Sequence, residues 1–179
     1  PKGFQKVGHI CFAYDDIVYS YGNYDSDSFH LNQTIGDGIF FTVPLEKYIP
    51  NMITAENNSI FEYGIYTTSK QNALIEKEIE KIRQNGYRWY TKIEKEDGYD
   101  RFSEYEMDYP SRLHYRTGAK LYKVKSGKFH IYWALGDNCA SFTDLVLGTL
   151  GADVLSIRGI ISPGTYLDWL QKEYLKKNS

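Results

Sequence analysis

The sequence predicts an α+β chain, an antiparallel sheet packed against helices, and three observations carry that prediction. Short β-branched and aromatic runs are bounded by tight turn signals. Capped segments of helical periodicity follow such runs in the middle of the chain and again in its last third. Tyrosine is in excess, 17 of 179 residues in a chain that is 16% aromatic, and tyrosine suits half-buried strands as well as binding grooves. The length is that of a single domain, so residues 1–179 are read as one domain with an irregular insertion near 92–117.

Residues 7–14 and 17–21 are strand-like, and Asp15-Asp16 supplies the turn of a hairpin. The strand period of two puts His9, Cys11 and Ala13 on one face and Ile10, Phe12 and Tyr14 on the other. Small and polar residues therefore share a side, as in a groove-facing strand. A polar stretch from Gly22 to Asp37 leads to a third strand, Ile39 to Val43, which Pro44 ends. Ser59 to Thr67 reads as another strand. Thr68 or Ser69 then caps a helix over Lys70 to Gln84, closed by Asn85-Gly86, with an apolar stripe at Ala73, Leu74, Ile79 and Ile82. Lys92 to Thr117 is charged and tyrosine-rich without sustained periodicity, and is read as an excursion or flap. Lys120 to Val124 and Phe129 to Ala134 flank Ser126-Gly127 as a late hairpin. The following helix starts at Cys139 and stops at Gly148 or Gly151. Ser162-Pro163 caps a last helix carrying Tyr166, Leu167, Leu170 and Tyr174 on one face.

The formal charge of -2 and a pI near 6.1 supply no basic field, so nucleic acid is not an expected partner. No apolar run approaches the roughly 20 residues of a membrane span, and Pro1-Lys2-Gly3-Phe4 lacks the apolar core of a signal peptide. A start at Pro1 reads as the trimmed remainder of something longer. There is no Gly-x-Gly-x-x-Gly or Walker loop, and no His-x-x-x-His or Cys-x-x-Cys pair, so neither cofactor nor metal is expected. Asp25-Ser26-Asp27 is turn-like, and would hold calcium only with further ligands.

Cys139 is the leading candidate for chemistry. A helix N-terminus presents unpaired N–H groups and the positive end of the dipole, which favour thiolate and can hold an oxyanion. A thiol nucleophile needs an imidazole base, and the base needs a polar neighbour to fix its tautomer. His9 beside Gly8 is the preferred base, with His30, His114 and His130 as competitors. Ser20 or Tyr21, on the strand next to His9, supplies the third group, and Ser20 is preferred. Asn138 either presents its amide to an oxyanion or serves as a turn and cap residue. Alternatively Cys11 and Cys139 form a disulfide in a non-enzymatic, secreted, tyrosine-rich binding domain.

Gly8-His9 on a first strand, Tyr19-Ser20-Tyr21-Gly22 ending the next, and Asn138-Cys139-Ala140-Ser141-Phe142 opening a late helix resemble the circularly permuted papain-like cysteine hydrolases. These include permuted NlpC-type amidases and peptidases and the lecithin:retinol acyltransferase group. The resemblance implies a permuted papain-like fold with the histidine strand ahead of the cysteine helix. It implies Cys139 as nucleophile, His9 as base, and hydrolysis through a thioester acyl-enzyme. Cell-wall peptide or protein amides are the implied substrates, with lipid esters as the rival and Val154 to Ile161 as an apolar segment that would serve a lipid. Some bacterial members are secreted effectors, which implies a secreted or periplasm-acting protein with an immunity partner. The chain departs at the third position, where many relatives place His, Asp, Glu or Gln, and residues 92–117 match no part of the family pattern.

Overall fold

The computed structural model describes residues 8–96, 103–151 and 163–178. The first hairpin joins β1 (Phe12–Tyr14) to β2 (Ile17–Gly22), with Tyr14 opposite Ile17. Asp15 and Asp16 both take left-handed backbone, at φ of 50° and 58°, the geometry of a two-residue turn that matches strand twist. β3 (Ile35–Asp37) lies in the polar stretch, where no strand was expected, and β4 (Ile39–Pro44) runs antiparallel to β2. Beyond β4 the chain turns at once into α1 (Leu45–Pro50) and a π-helical turn, Asn51–Ala55. Proline, which ends the strand, is well suited to lead into a first helical turn.

The segment Ser59 to Thr67, expected to be a strand, has no regular structure. Its residues have strand propensity but pair with no strand among the described residues, and Phe61 and Tyr66 are exposed. Propensity alone does not make a strand when the backbone groups have no partner. α2 (Ser69–Gln84) follows as expected, and the capping box is reciprocal between Thr68 and Gln71. Its buried stripe is Ile75, Ile79 and Ile82, while Leu74 lies exposed, so the stripe is rotated from the expected one.

β5 (Gly86–Trp89) and α3 (Lys92–Lys95) come next. The expected flap is largely regular in its described part. Residues 97–102 lie outside the described residues, and α4 (Tyr109–Thr117) is a helix with Asp108 as N-cap and left-handed Gly118 at its end. Four buried residues, Pro110, Ser111, Leu113 and Thr117, dock it on the body of the protein. Ion pairs of Arg112 and Arg116 with Glu56 tie it to the chain after α1.

The late hairpin is also replaced by something else. β6 (Lys120–Val124) pairs with both β4 and β5, whereas β7 (Ile131–Trp133) pairs with β3. Tyr21 and Gly38 divert the chain between them: Gly38 N–H donates to His130 O at 2.9 Å, and Tyr21 Oη donates to Phe129 O at 3.0 Å. Two sheets result, one of five antiparallel strands in the order β1-β2-β4-β6-β5, the other the pair β3-β7. α5 (Cys139–Leu147) runs into a 3-10 turn closed by left-handed Gly151, and α6 (Pro163–Asn178) is the last helix. Ser162, the expected cap of α6, and the segment 154–161 lie outside the described residues.

The five-stranded sheet is covered on both faces. On one, Tyr19, Tyr21, Phe40 and Val124 meet Ile75, Ile79 and Ile82 of α2 and Phe142 and Val146 of α5. On the other, Val18, Phe41, Val43 and Leu121 meet Tyr48 of α1 and Leu113 of α4. The antiparallel sheet packed against helices is therefore as the sequence predicts. No described helix is long and apolar enough to cross a membrane.

Candidate active site

α5 begins at the residue that the sequence marks. Asn138 is its N-cap: the side-chain Oδ1 accepts from Ala140 N–H at 2.9 Å and Ser141 N–H at 3.1 Å, while Ser141 Oγ accepts from Asn138 N–H at 2.9 Å. The Asn138 amide Nδ2 donates to Ala134 O at 3.0 Å. Asn138 is thus a buried cap that holds the helix start to the preceding turn, with an amide N–H turned back onto Ala134 O, which favours the cap role over the oxyanion role. The group free for an oxyanion is the Cys139 N–H itself, which has no acceptor among the described residues. First-turn N–H groups have no intrahelical partner.

The Cys139 sulfur is buried beside the His9 side chain and the backbone N–H groups of Ile10 and Ala140, which all favour the thiolate. Segment 8–11 is held there by apolar contact, since Ile10 packs with Ala140 of α5 and Tyr166 of α6. Left-handed Gly8, at φ of 80°, turns the chain into this segment, a conformation glycine takes without strain. His9 Nε2 lies 2.6 Å from Ser20 Oγ, which leaves Nδ1 for the thiol.

Electrostatics move both groups toward the ion pair. Burial pushes the Cys139 thiol up, but the attraction of His9 and the hydrogen bonds from His9, Ile10 and Ala140 outweigh it and bring the thiol below its ordinary value. Burial lowers His9, but the charge and hydrogen bonding of Cys139 together outweigh it and bring the net value above the ordinary imidazole. His9 is crowded by protein yet exposed to solvent along one side. Water that reaches the ring relieves the cost of charging it, so burial does not cancel the attraction of Cys139.

The choice between Ser20 and Tyr21 is decided by strand alternation. In the hairpin Phe12 faces Tyr19 and Ala13 faces Val18, so the same register carries Ser20 to the face of Cys11 and His9 and Tyr21 to the opposite one. Tyr21 stacks on Phe142 at 5.0 Å and donates to Phe129 O. It is a core residue, and its proposed place in the site is corrected. Ser20, fully buried, also contacts Tyr24 Oη at 3.2 Å. Tyr24 was missed by sequence reasoning, because it lies past the end of the strand in the polar stretch and only the fold brings its ring back.

The competing histidines stay apart. His114 Nδ1 is bonded to Ala119 O at 2.8 Å and His130 Nδ1 to Val124 O at 2.9 Å, while His30 bridges to Ile35 on the surface. The two cysteines are both free. Cys11 does not open onto a groove: its thiol hydrogen-bonds Tyr48 in the second core, and burial first of all pushes it up to about 11. The structure therefore gives the alternative Cys11–Cys139 disulfide no support, because the first thiol is packed against Tyr48 and the second is paired with His9. Asp25 caps the 3-10 turn Ser26–Ser28, and Lys123 reaches Asp25 at 3.9 Å and pairs with Asp37. Among the described residues no group of His, Cys, Asp or Glu is arranged to hold a metal ion. Two surface clefts, one beside Ile82, Lys128 and Phe129 and one beside Asp25, Asp27 and His30, both lie away from the Cys139–His9 pair.

No protein-family model matches this chain, and neither does any curated protein or any solved structure.

Proposed function

We propose that this chain is a cysteine hydrolase of the permuted papain-like kind, acting on amide bonds. One observation carries the reading: a thiol at a helix N-terminus lies against an imidazole that a buried serine holds from behind, an arrangement that lowers the thiol and raises the imidazole. In the proposed reaction the Cys139 thiolate attacks the carbonyl carbon and forms a C–S bond, and the oxyanion is received by the Cys139 N–H. The His9 imidazolium gives its Nδ1 proton to the leaving nitrogen as the C–N bond breaks, leaving a thioester. Neutral His9 then takes a proton from water, the hydroxide attacks the thioester, and the carboxylic acid departs as the thiolate is restored. Ser20 fixes the ring of His9 throughout.

The test is Cys139→Ala and His9→Ala against purified peptidoglycan, peptide amides and phospholipid vesicles. Hydrolysis of an amide by the parent, lost in both variants, together with a thioester adduct mass on Cys139 in rapid-quench samples, supports the reading. Ester hydrolysis alone moves it to the lipid-acting rival, and activity that survives both substitutions overturns it.

A further inference from the structure

From the geometry behind His9 we infer that Tyr24 is a positioning residue: through Ser20 it fixes the tautomer and charge of His9, so a neutral two-hydroxyl relay, Ser20–Tyr24, stands where a carboxylate or amide is usual. The inference deepens the reading of the site as a thiolate–imidazolium pair and rests on it.

Proton counting gives the direction of the relay. In the ion pair both nitrogens of His9 are donors, so Nε2–H, 2.6 Å from Ser20 Oγ, must find a lone pair there. Ser20 is fully buried, so its own proton has no water to turn to. Tyr24 Oη, at 3.2 Å, is the neighbour that takes it. In the neutral state the same arrangement keeps the proton on Nε2 and leaves the Nδ1 lone pair for the thiol. Without the Tyr24 oxygen the Ser20 proton turns onto Nε2, which selects the Nδ1–H tautomer and disfavours imidazolium.

The placement of Tyr24 is built into the fold. Its ring packs against Phe41 and stacks on Tyr109 of α4, at centroid distances of 5.4 and 6.0 Å. It also folds back over Gly22, where an added Cβ would come within 2.9 Å of Tyr24 Cζ and 3.1 Å of its hydroxyl. Gly22 has no left-handed backbone to explain it. Its missing side chain is what lets the hydroxyl approach Ser20. Among the described residues, the other titratable groups that feel the Cys139 charge are Cys11, Tyr21 and Tyr132, each raised first of all by burial and neutral near pH 7. None of them competes with the relay for control of the pair.

The experiment measures the pH profile of Cys139 alkylation by iodoacetamide in Tyr24→Phe, Gly22→Ala, Ser20→Ala and the Ser20→Ala/Tyr24→Phe double variant. This readout needs no substrate. Tyr24→Phe keeps the ring and its stacking, so a merely structural role leaves the profile in place. The relay predicts a midpoint raised by roughly one pH unit, which is about a tenfold slower alkylation below both midpoints. It also predicts a shift of the same sign in Gly22→Ala, one at least as large in Ser20→Ala, and no further shift in the double variant. Profiles of Tyr24→Phe and Gly22→Ala that superimpose on the parent, while Ser20→Ala shifts, overturn the role of Tyr24. A parent midpoint near the ordinary cysteine value of about 8.5 overturns the ion pair beneath it, whereas a lowered parent midpoint without hydrolysis of any substrate counts against the proposed reaction and leaves the relay standing.

Discussion

Replacing Asn138 by alanine removes at least three hydrogen bonds at the start of the helix that carries Cys139. Oδ1 satisfies the N–H groups of Ala140 and Ser141, and Nδ2 satisfies the carbonyl of Ala134. An exposed cap is worth about 1 kcal/mol. This one is only 3% exposed, so water does not replace what is lost, and each orphaned buried group costs about 1–3 kcal/mol. The groups share one side chain and their costs do not simply add. A total near 3 kcal/mol is expected, which for a chain of this size is a fall of about 6–12 °C in Tm. Urea unfolding followed by circular dichroism measures it, with the slope m checked for constancy. Asn138→Asp is the informative companion. It keeps the oxygen that accepts from Ala140 and Ser141 but turns a second carboxylate oxygen onto the Ala134 carbonyl, so it should recover only part of the lost stability, and its negative charge beside the thiolate should raise the Cys139 midpoint. A loss under about 1 kcal/mol in Asn138→Ala refutes the reasoning, since the helix start would then be held by something other than its cap.

Gly38→Ala should be the more damaging change, because the added Cβ would lie 1.8 Å from Phe129 O and 2.7 Å from Tyr21 Oη; a loss of about 3 kcal/mol or more, or failure to accumulate soluble protein, is expected in a thermal-shift measurement. Phe142→Ala, which empties the contact among Tyr21, Phe40 and Phe129, should cost about 3–5 kcal/mol by urea unfolding, and a loss under about 1 kcal/mol would mean that α5 does not rest on this core. The lowering of Cys139 and the raising of His9 both widen the pH range open to the charged pair, which acid ends by protonating the thiolate and alkali by discharging the imidazolium. An ordinary thiol keeps only about 0.3% of its thiolate at pH 6, so alkylation at pH 6 should run well above that share of its plateau rate, and a rate at that share contradicts the pairing. Native protein near pH 7 should take up one iodoacetamide label, on Cys139, with Cys11 far slower because its thiol is packed against Tyr48 and raised to about 11, which leaves almost no thiolate; equal labelling of both, or of neither before reduction, would contradict the free, unequal thiols.

The amino-acid sequence by itself determined the local structures whose signals lie within a few residues. Asp15-Asp16 specifies a tight hairpin, Thr68 with Gln71 a helix start, and Asn138-Cys139 another. These rest on caps and turns, so the helix that presents the thiol was legible before any packing. The turn of the hairpin was legible too, but the choice between Ser20 and Tyr21 was not, and the pairing of Phe12 with Tyr19 decides it by putting Ser20 on the face of His9. What only the tertiary structure decided is pairing over distance. β6 joins β4 and β5 while β7 joins β3, although the two strands stand side by side in the chain. Ser59 to Thr67 has strand composition and remains unpaired, because a strand exists only where a partner edge does. The meeting of His9 with Cys139 across 130 residues of sequence and the return of Tyr24 over Gly22 to Ser20 belong to the same class. Their physical reason is common: the energy of each contact depends on where the rest of the fold puts the partner, and no local pattern encodes that place.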